Sequence, residues 1–484
     1  MTGTGAVAAL TDLAGQRVLV AGLGITGQSV IPLLAGHGAL VTAVDSRADA
    51  ERRATAARLA TDGVDVLLGP DQLDAGAHPP AGTALVVTSP GLRPDTPLLA
   101  AAVATGIEVI GDVELAWRLR PTLPGGARQQ WLAVTGTNGK TTTVRMLAAM
   151  LAAAGHRSVA AGNVGTPILD VVTDPEPYPV IAVELSSFQL YWSATIRPFA
   201  AAVLNLAAHH LDWHDDIESY AAAKAKIFAP GTIAVCNAQD ERSAAMADAA
   251  LAIGRASRKV AFRLGPPGPD ELGVAGDWLV DNAFGPGVRL AQAVSVRPAA
   301  PHNVADALAA AALARAYGDS PGAVAAGLAA FVPEPHRISL VAELNGVAFV
   351  DDSKASNPAA AAASLAAFPS IIWLAGGLFR GSDTDLDAIV AAAAPRLRAA
   401  VLIGTDRARF SQALARHAPD VPVTELSSTE TGVMDQAVAQ AAAVARRGDT
   451  VLLAPAAQSW DMFRDYPARG DAFAAAVTRL ADSR

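Results

Sequence analysis

The stretch Gly136-Thr137-Asn138-Gly139-Lys140-Thr141-Thr142 constrains this chain more than any other. The apolar run Trp131-Leu132-Ala133-Val134 precedes it and reads as a buried strand, and Val144 to Leu151 follows as a helix. Strand, glycine turn and helix start in that order belong to a parallel α/β sheet, with the turn at the carboxyl end of its strand. The same arrangement cradles phosphate. Backbone N–H groups and the helix N-terminus face the anion, Lys140 supplies a point charge, and Thr141 or Thr142 can hold Mg²⁺. The usual motif has a further glycine where this chain has Val134, so the loop is a shortened variant. The plainer alternative is a glycine turn capping an ordinary helix, and the strand–loop–helix context weighs against it.

At 484 residues the chain is too long for one core and predicts about three domains. It is 51% apolar and 17% charged, which makes it globular rather than disordered. The net charge of −9 and the lack of any Lys/Arg run argue against nucleic acid and anionic membranes as partners. Cys236 is the one cysteine, so no disulfide can form within the chain, as suits a reducing compartment. It sits in the strand-like run Thr232 to Cys236 and reads as a core residue. Met1 to Leu13 lacks the basic start and apolar core of a signal peptide, and no uninterrupted apolar segment reaches the ~18 residues of a membrane span. A cytoplasmic protein without membrane insertion is expected.

Three segments follow one another. The first opens with the strand Arg17 to Ala21, the turn Gly22-Leu23-Gly24-Ile25-Thr26-Gly27 and a helix to about Ala35. A second strand, Ala39 to Val44, ends at Asp45, and a later one, Leu85 to Thr88, runs into Ser89-Pro90-Gly91. Taken alone, glycines at this spacing with an acid about 20 residues on read as a dinucleotide fingerprint. The second segment begins near Asp112 and carries the phosphate loop. Its strands Val180 to Val183 and Ala201 to Leu204 end in polar residues: Glu184, Ser186 and Ser187, then Asn205, His209, His210 and Asp212. Residues 255–301 hold short strand-like pieces with no readable chemistry. The third segment starts around Pro333 and predicts strands at Val347 to Val350, Ile371 to Leu374, Ala400 to Ile403 and Thr450 to Leu453.

Several side chains invite a chemical role. Glu184, at a strand end that shares a rim with the phosphate loop, suits Mg²⁺ better than a helix N-terminus. His210 suits a Mg²⁺–phosphate site better than zinc, because a third and fourth zinc ligand at the usual spacing are missing, and a solvated loop histidine is the plainer alternative. Composition alone makes Lys224, on an alanine-rich helix, a surface lysine. Lys354 in Asp352-Ser353-Lys354 and Arg337 in Pro335-His336-Arg337 read either as anion contacts or as salt-bridge residues.

Taken in order, these motifs resemble those of the Mur ligases, the ATP-dependent amino-acid ligases of peptidoglycan synthesis. The likeness spans nearly the whole chain. It includes Gly22 to Gly27, Gly136 to Thr142, Gly162-Asn163-Val164-Gly165, His210 to His214, Pro301-His302-Asn303, Pro335-His336-Arg337 and Asp352-Ser353-Lys354. The run Glu184-Leu185-Ser186-Ser187-Phe188-Gln189 resembles the branch that adds D-glutamate to UDP-N-acetylmuramoyl-L-alanine. The resemblance implies three α/β domains: a Rossmann-like domain for the UDP substrate at 1–112, a central P-loop ATPase-like domain with a parallel sheet at 113–333, and a Rossmann-like domain for the amino acid at 334–484. It implies ATP and two Mg²⁺ sites as cofactors, and a monomer whose partners are small molecules. Lys140, Glu184, His210 and Lys224 take catalytic roles by this likeness. Thr141, Glu184, His210 and a carbamylated Lys224 surround metal, which reverses the surface reading of Lys224. Gly136 to Thr142, Asn303 and Arg337 contact ATP. Gly24, Ile25, Thr26, Ser46, Arg47, Ser89 and Asn163 hold the UDP substrate, so the dinucleotide fingerprint misleads. Lys354, Arg380, Ser459, Trp460 and Tyr466 hold glutamate. The chain departs from the family at Arg380, where lysine is common, at Asp306, where asparagine is common, and at Tyr466, where phenylalanine is frequent. An NAD-dependent oxidoreductase and a non-catalytic nucleotide module are the competing classes. The first leaves the phosphate loop, Glu184 and Lys354 without a role.

Overall fold

The computed structural model describes residues 10–298, 300–428 and 430–482. Its backbone forms three sheets. The first is five-stranded and wholly parallel, in the order Asp65–Leu68, Leu40–Asp45, Arg17–Ala21, Thr83–Thr88, Glu108–Gly111. Arg17–Ala21 lies at its centre, and the topological switch point therefore falls beside the first glycine turn.

The second sheet has nine strands, and the phosphate-loop strand Gln130–Thr135 lies between Ala200–Val203 and Val180–Glu184. Six further strands extend it: Ala160–Gly162 beyond Val180–Glu184, and Ile233–Asn237, Arg258–Phe262, Glu271–Ala275, Trp278–Asp281 and Val288–Gln292 on the other side. Glu271–Ala275 still runs parallel to Arg258–Phe262, and the last two strands then pair antiparallel. The four strands from Arg258–Phe262 to Val288–Gln292 account for the strand-like pieces of 255–301.

The third sheet, of six strands, runs Ser339–Leu344, Val347–Asp351, Thr450–Leu453, Ile371–Gly376, Leu397–Ile403, Val423–Glu425. Only its first pair is antiparallel.

Apolar runs make these central strands for a simple reason. A parallel strand covered by helices on both faces buries every side chain, so it reads as continuous Val, Ile, Leu and Ala rather than as an alternation. Gln130–Thr135, Val180–Glu184 and Ile371–Gly376 are buried almost throughout. Cys236 is buried in the core of the second sheet.

By contacts, the first two sheets form one compact unit, residues 1–293 with 305–330. Residues 294–304 and 331–484 form the other. Among the described residues no helix is long and apolar enough to cross a membrane.

Candidate active site

The phosphate loop is shaped by one glycine in particular. Gly139 precedes the helix Lys140–Ala153 with φ of 84°, in the left-handed region. A Cβ there would stand 2.3 Å from Asp306 Oδ1, so backbone and carboxylate leave no room for a side chain. The loop is held from the neighbouring strand end by Asn205. Its Oδ1 accepts the Asn138 N–H at 2.9 Å, its Nδ2 donates to Asn138 O at 3.1 Å, and its own carbonyl accepts the Thr137 N–H at 3.0 Å. Lys140 folds back over the loop, donating to Gly136 O at 3.0 Å and Thr137 O at 2.9 Å.

Glu184 closes the strand beside the loop and is only 1% exposed. Its two oxygens have different partners. Oε2 accepts the Thr141 hydroxyl at 2.9 Å, and Oε1 accepts Asn163 Nδ2 at 2.8 Å. Asn163 is fixed in turn, because its N–H donates to Glu184 O at 2.9 Å. Thr141, Glu184 and Asn163, drawn from three separate segments, thus form one hydrogen-bonded row along the carboxyl edge of the sheet.

Lys224 is not the surface lysine that composition suggests. On the helix Ile217–Ala225 it is 1% exposed, and Nζ donates to Gly136 O at 2.8 Å and to Thr135 Oγ1 at 3.3 Å. The Tyr220 ring lies 4.6 Å from this nitrogen, and the Tyr220 hydroxyl is 3.2 Å from Thr137 Oγ1. Burial first, and then the nearby Lys140 charge, push the Lys224 ammonium well below its ordinary range, against the pull of Glu184. The alanine-rich helix misled because alanine packs on either face, so no apolar stripe marked the buried side.

His210 starts the four-residue helix Leu211–His214 with a left-handed backbone, and its ring lies 4.8 Å from Phe188 and 3.8 Å from His209. Loss of hydration lowers it to about 4; Asp212 opposes this, and the Lys140 and Lys224 charges add to it. Loss of hydration, then His210, Lys140 and Lys224, lower His209 to about 3. Both rings are therefore neutral near pH 7.

Thr141 and Glu184 present the hard oxygen donors that Mg²⁺ prefers, so this corner fits such a cation. Lys224 as an ammonium does not fit one and would need to be modified first. Among the described residues no three or more His, Cys, Asp and Glu side chains gather into a metal-binding group.

At the first turn Gly24 precedes the helix Ile25–Gly36 with no side-chain cap, and Ile25 is 83% exposed beside the partly exposed Thr26. Ser89 donates its N–H to Ala21 O at 2.8 Å, and its hydroxyl packs against Gly22. Asp45 is used internally. Its Oδ2 accepts the Leu23 N–H at 2.8 Å, its Oδ1 accepts the Arg47 N–H at 2.8 Å, and Arg52 pairs with it at 3.4 Å. A dinucleotide site would need that carboxylate for a ribose hydroxyl. Ser46 and Arg47, just beyond it, stand exposed.

The second unit holds the remaining candidates. Lys354 Nζ lies 3.9 Å from the centre of the Tyr466 ring. Ser459 is buried, Trp460 is 65% exposed, and Arg380 is exposed after the turn Gly376-Gly377. Arg337 pairs with Glu334 at 2.9 Å, and the Asn303 amide donates to Pro298 O at 3.0 Å. Sequence reasoning missed Arg469. This buried guanidinium donates to Ser353 Oγ at 3.0 Å, Ser353 O at 2.8 Å and Ala457 O at 3.0 Å. It ties the loop bearing Lys354 to the loop that leads to Ser459. Asn205 stood out only as a polar strand end, and nothing in its neighbours signalled a clamp.

Comparison with known proteins adds three matching family models. Residues 16–111 match the Mur ligase MurD-like N-terminal domain, 134–314 the Mur ligase middle domain, and 336–457 the Mur ligase glutamate ligase domain. A protein of Thermobifida fusca (strain YX) named UDP-N-acetylmuramoylalanine--D-glutamate ligase is 55% identical over 97% of this chain and 100% of its own length. One of the same name from Streptomyces coelicolor is 52% identical over 97% of this chain and 99% of its own. Two solved structures share the fold at low identity. UDP-N-acetylmuramate-alanine ligase MurC of Thermotoga maritima has a TM-score of 0.57 at 18% identity, over 97% of this chain and 100% of that one. A pseudomurein peptide ligase type C of Methanothermus fervidus has 0.60 at 16%, over 96% and 100%.

Proposed function

The chain belongs to the Mur ligase family, and on that premise we propose that it ligates D-glutamate to UDP-N-acetylmuramoyl-L-alanine using ATP. The choice of glutamate follows the full-length likeness to ligases of that name. The observation that carries the chemistry is Glu184, held between Thr141 of the phosphate loop and Asn163.

The reaction has two steps. A carboxylate oxygen of the acceptor attacks the γ-phosphorus of ATP, giving an acyl phosphate and ADP. The amine of D-glutamate then attacks the acyl carbon, loses a proton, and inorganic phosphate leaves as the amide forms. Both steps bring anions together. The loop amides and Lys140 offset that repulsion most where charge builds up on the transferred phosphoryl group. Asn163 orients the acceptor, and His210 offers a neutral imidazole to the phosphate oxygens. Bound Mg²⁺, on Thr141 and Glu184 with His210 and a Lys224 carbamate, would neutralise phosphate charge. The low proton affinity of Lys224 supports the carbamate, because the uncharged amine is the form that adds CO₂. Asn303 and Arg337 bind ATP. Gly24, Ile25, Thr26, Ser46, Arg47 and Ser89 take the UDP end, and Lys354, Arg380, Ser459, Trp460 and Tyr466 take glutamate. Domain limits at 112/113 and 333/334, a monomeric state and a cytoplasmic location complete the proposal.

The test is phosphate release by the purified protein. It should require ATP, UDP-N-acetylmuramoyl-L-alanine and D-glutamate together; equal turnover with L-alanine or a diamino acid in place of D-glutamate would sink the assignment. Lys224→Ala should lose most activity and recover part of it with added short carboxylates. Activity unchanged by that substitution would remove the carbamate.

A further inference from the structure

The short helix Leu211–His214 is flanked by two non-glycine residues with left-handed backbone, His210 at φ 56° and Asp215 at φ 68°. Backbone of this kind persists where its surroundings over-determine it. Here the surroundings come from the loop after Thr83–Thr88, in the first sheet. The Trp213 indole donates to Gly91 O at 3.0 Å. Arg93 donates to the Asp212 carbonyl and, at 3.0 Å, to Asp215 Oδ1. The Trp192 indole donates to Leu92 O at 3.3 Å. That loop starts at Ser89, whose hydroxyl packs against Gly22 of the first glycine turn. On its other side the helix touches the Glu184 segment. His214 Nε2 lies 2.9 Å from Ser187 Oγ, and the Phe188 ring lies against His210, Trp213 and His214.

General adhesion between the two sheets does not account for these contacts. Buried Glu114, on the helix Asp112–Leu119 that leads out of the first sheet, already anchors that helix beside the second, accepting the N–H groups of Ala194 at 2.8 Å and Thr195 at 2.9 Å and the Thr195 hydroxyl at 2.6 Å. The exposed ion pairs of Arg93 add little stability by comparison. What Arg93 and Trp213 do hold is the backbone on which His210 stands.

We infer that Arg93 and Trp213 are positioning residues that couple the loop at the UDP-substrate turn to His210. Occupancy of the first turn then sets the strained backbone of 210–215 for phosphoryl transfer. The inference rests on the ligase reading for what the two ends bind.

Two substitutions isolate the clamp. Trp213→Phe keeps a ring against Phe188 but removes the N–H, and Arg93→Met keeps the stem but removes the donors. Each should lower kcat about ten- to a hundredfold, the scale of a misplaced catalytic group. KM for D-glutamate and the melting temperature should stay near wild type, and Arg93→Lys should fall between. Hydrogen exchange gives a readout without turnover. Adding UDP-N-acetylmuramoyl-L-alanine alone should slow exchange across 210–216 in the wild type but not in Arg93→Met. Wild-type kcat in both variants overturns the inference, as does a loss shared by every KM and by the melting temperature. So does an absence of protection at 210–216 in wild-type protein that binds the sugar nucleotide. Wild-type protein that binds it without turnover, whatever the amino acid, would instead overturn the ligase reading and leave the exchange experiment to decide the coupling.

Discussion

Two strand–glycine–helix turns sit at the switch regions of a parallel and a mostly parallel sheet, and their surroundings differ. At Gly22–Gly27 the helix starts without a lysine, and the nearby acid, Asp45, is tied to Leu23 N–H and Arg52. At Gly136–Thr142 Lys140 lies over the loop, and the nearby acid, Glu184, reaches the Thr141 hydroxyl on the first turn of the helix. Both turns offer helix N-terminal amides to an anion. They differ in what the adjacent strand ends contribute. A turn whose acid is already paired internally is left with its amides to offer an anion. A turn with a lysine and a carboxylate beside it can also stabilise charge that moves during a reaction.

The largest expected effect tests that difference directly. Lys140→Ala should lower kcat by about a thousandfold or more while circular dichroism stays unchanged. Turnover within tenfold of wild type would make the second turn no more chemical than the first. Next comes Asp45→Ala, which takes the acceptor from the Leu23 and Arg47 N–H groups, leaves buried Arg52 with exposed Glu51 as its remaining acidic partner, and should cost about 3 kcal/mol in denaturant unfolding. A cost near zero would mean that Asp45 is free for a ligand after all, and NAD binding by calorimetry would then be worth measuring. The smallest effects compare the glycines. Gly139→Ala should cost about 1–3 kcal/mol, because φ is 84° and the new Cβ meets Asp306 Oδ1 at 2.3 Å. Gly24→Ala has φ of −69° and nothing within 4 Å, so it should change stability by less than about 1 kcal/mol. Equal costs at the two positions would show that the turns are constrained alike.

The strands that sequence patterning identified are interior ones. Arg17–Ala21, Gln130–Thr135, Val180–Glu184, Ile371–Gly376 and Thr450–Leu453 all have neighbours on both sides. Those it passed over entirely are edges: Asp65–Leu68, Glu108–Gly111, Ala160–Gly162, Ser339–Leu344 and Val423–Glu425, while the interior strands Arg258–Phe262, Glu271–Ala275 and Trp278–Asp281 read only as pieces without bounds. Edge strands here are short or half exposed, and their residues are too mixed to stand out from loops. The candidate site divides in a similar way. The glycine–lysine–threonine loop and Glu184 were legible because each terminates an apolar strand. Lys224, Asn205, Arg93 and Arg469 were not, because nothing in their own neighbours distinguishes them from surface or loop residues. The resemblance to a family, and not the pattern of residues, corrected Lys224.

What the sequence by itself determined is the local grammar: apolar runs that must be buried on both faces, turns that only glycine fills, and a lysine and threonine at the start of a helix. These depend on sterics and on contacts a few residues apart, which any reader of the chain can follow. Only the tertiary structure decided which partner each polar group found. It set Asp45 against Arg52 and Glu184 against Thr141 and Asn163, and it put Lys224 in the interior beside Lys140. Those pairings cross 7 to 84 residues of chain, and burial gives them their force, since a charge removed from water responds to its neighbours far more strongly than one left in it.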